Sequence, residues 1–253
     1  MKIDAIIRIV AGAVCIALPS VLAASGCAKA PFDKAMLTFR FDDAFVSQLP
    51  ALEELSSAGM RATVYPITGF VATPSYMNWD DLARLASGGH EVGSHSTDHD
   101  LMLFRSAGYH DEQFLRSRET LRGRGIDAKS FAWPYGIVSP LFGGRVRRVY
   151  GNASVYPVLS KGSLNYRDAD PFRIQCVTPR KADEFGGYLE QAVRSRAWMV
   201  ACFHRIGDGG GRFTLEATEF ARMVKLAQDY RGKGQVDIVT VSEGAERLAG
   251  ESR

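Results

Sequence analysis

The sequence predicts an α/β protein built as an irregular (β/α) barrel of seven or eight parallel strands. Three observations predict it. Strand-like apolar runs alternate with segments whose apolar residues recur every three or four positions, from Ala35 almost to the C-terminus. Several of those runs are continuously apolar, as strands covered on both faces must be. No glycine-rich phosphate loop follows the first run, which disfavours an open doubly wound sheet.

The N-terminus is set apart from that pattern. Lys2 and Arg8 precede the apolar run Ile9–Leu18, and Pro19 and small residues follow, which is the layout of a secretory signal over residues 1–26. The run is too short to cross a bilayer, and no other segment comes near the roughly 18–20 apolar residues a membrane helix requires. In Val21-Leu-Ala-Ala-Ser-Gly-Cys27 small residues lead directly to a cysteine, similar to bacterial lipoprotein signals in which Cys27 would be acylated. Ordinary cleavage at Ala28-Lys-Ala30 is the other reading. The expected location is therefore outside the bacterial cytoplasm, in the periplasm or on a membrane through Cys27. A linker, residues 27–34, leads into one domain, residues 35–253, with no low-complexity tract.

Strands are expected at Ala35–Phe41, Ala62–Ile67, Glu91–Ser94, Ser130–Trp133, Ala153–Val158, Phe172–Val177, Met199–His204 and Val236–Val241. Helices fall between them. Their apolar faces are Leu49, Leu52 and Leu55; Leu82 and Leu85 behind an Asn78 cap; Phe114, Leu115 and Leu121; and Phe220, Met223, Val224 and Ala227. Gly59, Gly88 and Gly89 stand where such helices would stop. With 46% hydrophobic and 23% charged residues, the 253-residue chain has material for one sizeable core. The net charge of +3, or +2 once Lys2, Arg8 and Asp4 leave with the signal, gives no reason to expect nucleic acid. The arginines at 116, 118, 122 and 124 and at 145, 147 and 148 read as solvated helix faces, with an anionic glycan or lipid surface as the alternative. Cys176 and Cys202, both in apolar runs, read as buried free thiols.

The polar residues gather where strands end. Asp42 and Asp43 end the first strand, His95 and His99 follow the third, Pro134-Tyr135-Gly136 ends the fourth and His204 ends the seventh. In a barrel these stations share one rim, where chemistry collects. Histidines at i and i+4 on one helical turn would face the same way, which suits a divalent metal completed by a carboxylate. His90 and His110, beside helices, read as surface or capping residues.

These motifs resemble those of the NodB-type polysaccharide deacetylases, the family 4 carbohydrate esterases. The family's Thr-Phe-Asp-Asp-Gly is similar to Arg40-Phe41-Asp42-Asp43-Ala44, and its His-Ser/Thr-x-x-His to His95-Ser96-Thr97-Asp98-His99. Its Arg-x-Pro-Tyr resembles Ala132-Trp133-Pro134-Tyr135, and its Leu-x-His resembles Cys202-Phe203-His204. The likeness runs in order over Met36–Leu248. It implies that Asp43, His95 and His99 hold a divalent metal, typically Zn2+. It further implies Asp42 as general base, His204 as general acid and the backbone N–H of Tyr135 as an oxyanion donor.

The implied activity is hydrolysis of N-acetyl groups on an N-acetylglucosamine-containing polysaccharide, with the acetylated glycan as partner. Hydrolysis of another acyl bond, as in acetyl xylan or a cyclic amide, and glycan binding without turnover are the alternatives. Trp133 and Pro134 are candidate sugar contacts, with core packing equally open for Trp133. Two departures stand out. Ala44 replaces a glycine, and Ala132 replaces the arginine that orients the base, for which Arg40 or Arg173 is a candidate substitute. His204 needs a partner, with Asp168, Asp170 and Asp208 in view. Loops Thr68–Met77, Ile137–Gly144 and Gly207–Phe213 are expected to set specificity.

Overall fold

The computed structural model describes residues 30–157, 162–207, 211 and 213–248. The expected signal, Cys27, Asp208 and most of the Gly207–Phe213 loop lie outside the described residues. Within them no helix is long and apolar enough to cross a membrane.

The strands are β1 (Ala35–Asp43), β2 (Ala62–Pro66), β3 (Glu91–Val92), β4 (Ser130–Ala132), β5 (Asn152–Ser154), β6 (Trp198–Phe203), β7 (Arg205–Ile206), β8 (Thr214–Leu215) and β9 (Val236–Ile238). The helices are α1 (Leu49–Ser57), α2 (Trp79–Ser87), α3 (Ala107–Arg122), α4 (Ala182–Ser195), α5 (Ala217–Gly232) and α6 (Val241–Leu248). β1 is the hub of a parallel sheet, pairing with β2, β6 and β9, and β2 carries β3. β4 and β5 form a separate parallel pair. Among the described residues the sheet is thus parallel but not a continuous ladder of seven or eight strands. Single bridges, Ser94 to Phe131, Ser154 to Ile174 and Val177 to Ala201, join the pieces.

Three expected elements differ. Ala153–Val158 is strand only as far as Ser154, and Val158 lies outside the described residues. Phe172–Val177 contributes only isolated bridges at Ile174 and Val177. The run expected as strand to Val241 breaks after Ile238. There Thr240 and Glu243 cap each other, Thr240 N–H donating to Glu243 Oε2 at 2.9 Å and Glu243 N–H to Thr240 Oγ1 at 3.3 Å, and the chain turns into α6. The Asn78 cap of α2 forms as expected, with Asp81 N–H donating to Asn78 Oδ1 at 2.9 Å.

Strand alternation sorts β1 into two columns. Leu37, Phe39 and Phe41 face the outer helices, with Phe39 5.9 Å from Phe185 of α4 and Phe41 5.9 Å from Phe220 of α5, ring to ring. Each fully buried phenylalanine of this kind contributes about 1.5–3 kcal/mol. The other column is Met36, Thr38, Arg40 and Asp42, all buried. Met36 packs among Tyr65, Trp198, Val200 and Cys202. At the lower end Trp198 Nε1–H donates to Thr38 Oγ1 at 2.9 Å. There α6 packs so closely that a Cβ on Gly244 would lie 2.3 Å from the Trp198 ring. Glu91 fastens this end by accepting from Thr63 Oγ1 at 2.9 Å, Ser130 Oγ at 2.6 Å and Ser242 N–H at 3.0 Å. The column's polar end, Asp42, comes out at the opposite rim.

Candidate active site

Asp42 and Asp43 leave β1 in different directions because the backbone turns left-handed after Asp42, with φ of +72° at Asp43 and +59° at Ala44. Ser96, His99 and Tyr135 also have positive φ. Non-glycine residues held this way cost about 1–2 kcal/mol each, and such strain is concentrated at sites the surrounding packing over-determines.

Asp42 is 2% exposed. Arg40, two residues earlier and so on the same strand face, lays its guanidinium along the carboxylate: Nε donates to Oδ1 and Nη2 to Oδ2, both at 2.7 Å. The third nitrogen, Nη1, donates to Val155 O at 2.9 Å, and the guanidinium carbon is 5.3 Å from the centre of the Tyr65 ring. Burial by itself would raise the Asp42 pKa. The Arg40 charge, supported by His95 and His204, outweighs it and holds the carboxyl well below the usual carboxylate range. The cation absent at position 132 is therefore supplied by Arg40. Arg173 is exposed on the surface.

Asp43 Oδ1 has no hydrogen-bond partner although buried, and lies 3.6 Å from both His95 Nε2 and His99 Nε2. One ligand atom from each of the three residues falls within 4.8 Å of the others. His95 Nδ1 is 2.8 Å from Ala132 O, an acceptor only, so Nδ1 carries the proton and Nε2 offers a lone pair. Burial, then the Asp42 charge, lifts the Asp43 carboxyl to about 7, and burial with the neighbouring His95 drops His99 to about 3. An orphaned buried carboxylate oxygen facing the Nε2 atoms of two imidazoles is a donor set that fits a divalent ion.

The histidines reach this arrangement without a helical turn, contrary to expectation. Residues 95–99 form a loop, bent by Ser96 and His99 and held from α3 by Gln113, whose Oε1 accepts from Thr97 N–H at 3.0 Å and Asp98 N–H at 3.2 Å. The His99 ring lies 4.7 Å from His95 and 4.7 Å from Tyr135. Tyr135 itself has φ of +58°, and Gly136 beside it packs so tightly that a Cβ would lie 2.3 Å from Tyr156 O.

His204 ends β6 beside β1. Buried Gln48 ties the two strand ends, its Nε2 donating to Asp42 O at 2.7 Å and to His204 O at 2.6 Å. The imidazole lies between Tyr156 and Phe213, at 5.5 and 5.3 Å. Burial lowers it to about 4, against the pull of the Asp42 charge. Among the described residues no carboxylate hydrogen-bonds it: Asp168 is exposed, Asp170 accepts from Arg147 at 2.8 Å, and Asp208 lies outside the description.

Trp133 and Pro134 are corrected as sugar contacts. Trp133 is 1% exposed and packs edge-on against Phe114 and Phe131, at 5.5 and 5.4 Å, and Pro134 is buried with it. His90 and His110 are core residues rather than surface ones. His90 Nδ1 accepts from Ala62 N–H at 3.1 Å, and His110 Nδ1 is 2.8 Å from Ser106 O. Cys176 and Cys202 are free buried thiols, as expected, with Cys202 Sγ 3.5 Å from Asp42 Oδ2.

No curated protein sequence matches the chain. Among solved structures it is similar to a family 4 carbohydrate esterase from Streptomyces lividans in complex with acetate, at 20% identity and TM-score 0.57, covering 83% of this chain and 95% of that one. It is similar to a variant of the peptidoglycan deacetylase PdaC from Bacillus subtilis, at 14% identity and TM-score 0.56, covering 86% and 92%. A third likeness, to the Xyl-CE4 domain of a multidomain xylanase from the hindgut metagenome of Trinervitermes trinervoides, has 19% identity and TM-score 0.56 over 86% and 92%. These likenesses carry the fold. Residues 29–151, which hold Asp42, Asp43, both rim histidines and Tyr135, match the family model described as polysaccharide deacetylase, and over that stretch the chain is a polysaccharide-deacetylase-type sequence.

Proposed function

We propose that the protein is a metal-dependent deacetylase that hydrolyses N-acetyl groups of an N-acetylglucosamine-containing polysaccharide. One juxtaposition carries the reading. Donor atoms of Asp43, His95 and His99 converge within 4.8 Å at the rim where Asp42 and His204 end the paired strands β1 and β6. A divalent ion held by those three residues, zinc by family resemblance, would supply a Lewis acid for the acetyl carbonyl and the attacking water.

The chain's own groups supply the remainder. Asp42, kept ionised by Arg40, accepts the proton of the attacking water as oxygen adds to the carbonyl carbon. The Tyr135 N–H donates to the carbonyl oxygen as negative charge grows there. His204 delivers a proton to the sugar nitrogen as the C–N bond breaks, leaving acetate and a free amine. Its neutral imidazole must first take up a proton, and the nearby Asp42 charge favours that uptake. The same reading takes the protein as exported, freely or through an acyl group on Cys27, and rests there on the sequence of residues 1–30.

The test is acetate release from chitin, peptidoglycan, poly-N-acetylglucosamine and acetylxylan fragments, with metal removed and restored. Metal-dependent release from at least one N-acetylated glycan is expected. Release from acetylxylan alone, or from none, overturns the proposal.

A further inference from the structure

The rim carries a cation that the mechanism leaves unused. Arg205 follows His204 directly, and β7 fixes its backbone, with Arg205 N–H donating to Phe213 O at 3.1 Å. Its guanidinium carbon lies 3.7 Å from the centre of the Phe45 ring. Phe45 lies tilted against Tyr76 at 4.9 Å, and Tyr76 meets Phe70 edge-on at 5.3 Å. Backbone bonds tie this aromatic wall together. Phe45 and Tyr76 form a β-bridge, Val46 N–H donates to Ser75 O at 3.0 Å, and Met77 N–H donates to Ala44 O at 2.9 Å. Gly69 N–H also donates to Thr97 O at 2.9 Å, tying the Phe70–Tyr76 loop to the histidine loop.

The charge balance singles Arg205 out. It follows His204 at the end of β6 and lies on Phe45, two residues beyond Asp43, so it stands at the catalytic rim. Among the described residues no carboxylate lies within ion-pairing distance of it; Asp42 is taken by Arg40, and Asp43 faces the two histidines. Phe45 covers one face of the guanidinium, which lowers its hydration and leaves the forked N–H edge for a planar anion. Half-buried Tyr76 and Phe70 offer apolar faces suited to the C–H side of a sugar ring.

We propose that Arg205, Phe45, Tyr76 and Phe70 form a subsite beside the reacting sugar that binds a sugar bearing a carboxylate, making the preferred substrate an acidic acetylated glycan. This inference rests on the deacetylase reading and narrows its substrate class. A neutral homopolymer of N-acetylglucosamine offers Arg205 nothing to pair with, whereas a lactyl ether or a uronate on the adjoining sugar does.

The test compares three N-acetylated oligosaccharides of equal length. One alternates N-acetylglucosamine with N-acetylmuramic acid, the second is the same with its carboxyls amidated, and the third has a uronate neighbour. For the parent, kcat/KM on an acidic oligosaccharide should exceed that on the amidated one about tenfold at low salt, with the ratio shrinking as salt rises. The larger ratio identifies lactyl or uronate as the source. In Arg205→Gln the ratio should collapse towards one, while Arg205→Lys should retain part of it. A parent ratio near one overturns the subsite, as does an Arg205→Gln protein that loses rate on all three substrates with the ratio intact. Calorimetric binding to the Asp42→Asn protein keeps the two readings separable: tighter binding of the acidic than of the amidated oligosaccharide, abolished by adding Arg205→Gln, supports the subsite even if no acetate is released. Equal binding overturns it.

Discussion

Replacing Arg40 by methionine tests the source of the base's ionisation. Asp42 is 2% exposed, and both of its oxygens accept guanidinium bonds at 2.7 Å, so the variant leaves a buried carboxylate without its cation. Breaking a buried pair from one side typically costs about 3–5 kcal/mol, which chemical denaturation at pH 7 would read. With the arginine gone, burial dominates and the carboxyl pKa rises, by about 1–3 units on the usual scale of an adjacent arginine. The acid limb of the pH profile of kcat/KM should move up by that amount. Arg40→Lys, which keeps charge but loses the fork, should fall between.

A second variant separates position from mere packing. Arg40→Thr with Ala132→Arg moves the cation from β1 to β4, the strand on which the resembled family carries it. Recovery of the acid limb in that double variant, beyond either single change, is the expected non-additivity. An Arg40→Met protein with unchanged stability and an unchanged acid limb would refute the reasoning.

Three other outcomes are expected. The protein should hold about one zinc-class ion per chain by elemental analysis, and His95→Ala, His99→Ala and Asp43→Asn should each lose it or weaken it, Asp43→Asn regaining some activity with excess metal. Asp42→Asn should keep the ion yet lose about 10²–10⁴ in turnover, the range for a general base; loss of the ion there would reverse the assignments of the two carboxylates. His204 is held near 4 when folded, against about 6.5 unfolded, so the unfolded chain binds the extra proton between those values and stability contributed by the neutral ring is lost as pH falls through that window. The metal-free parent should therefore lose up to about 3 kcal/mol relative to His204→Asn between pH 6.5 and pH 4, measured by denaturation, and parallel curves would show the ring is not buried neutral.

Much of the rim was legible because Asp42-Asp43 and His204 directly follow long apolar runs and the two histidines fall in one short motif. Asp42, Asp43, His95, His99 and His204 meet where the strand order put them. The choice between Arg40 and Arg173 could have been narrowed from sequence alone, since residues i and i+2 of a strand share a face. Helix α4 escaped notice because Gly186-Gly187 interrupts it, although Phe185, Leu189 and Ala192 keep its spacing behind Asp183 and Glu184. Thr240-Val-Ser-Glu243 is a readable helix start, obscured by an apolar run that looked like one strand. Gln48 and Gln113 carried no signal. A single polar residue in an amphipathic segment reads as surface, and only the packed structure shows each amide fastening the histidine loop or a strand end. Trp133 was ambiguous for the opposite reason, since an aromatic beside a reactive loop reads equally as platform and as core.

The direction of β1 also decides how the protein can be mounted. The described chain enters beneath the sheet, where Arg167 N–H donates to Ala30 O at 2.9 Å and Phe32 N–H donates to Arg196 O at 2.8 Å. It then runs through the nine residues of β1 before reaching Asp43, a rise of about 27 Å at the usual spacing of a strand. A bead, a support or a partner domain joined upstream of Ala30 would therefore hold the protein by its lower pole, with the rim of Asp42, Asp43 and His204 turned outward. An insoluble polymer could approach that rim without meeting the tether. Coupling through loops 68–77 or 137–144 would instead press the same rim against the support.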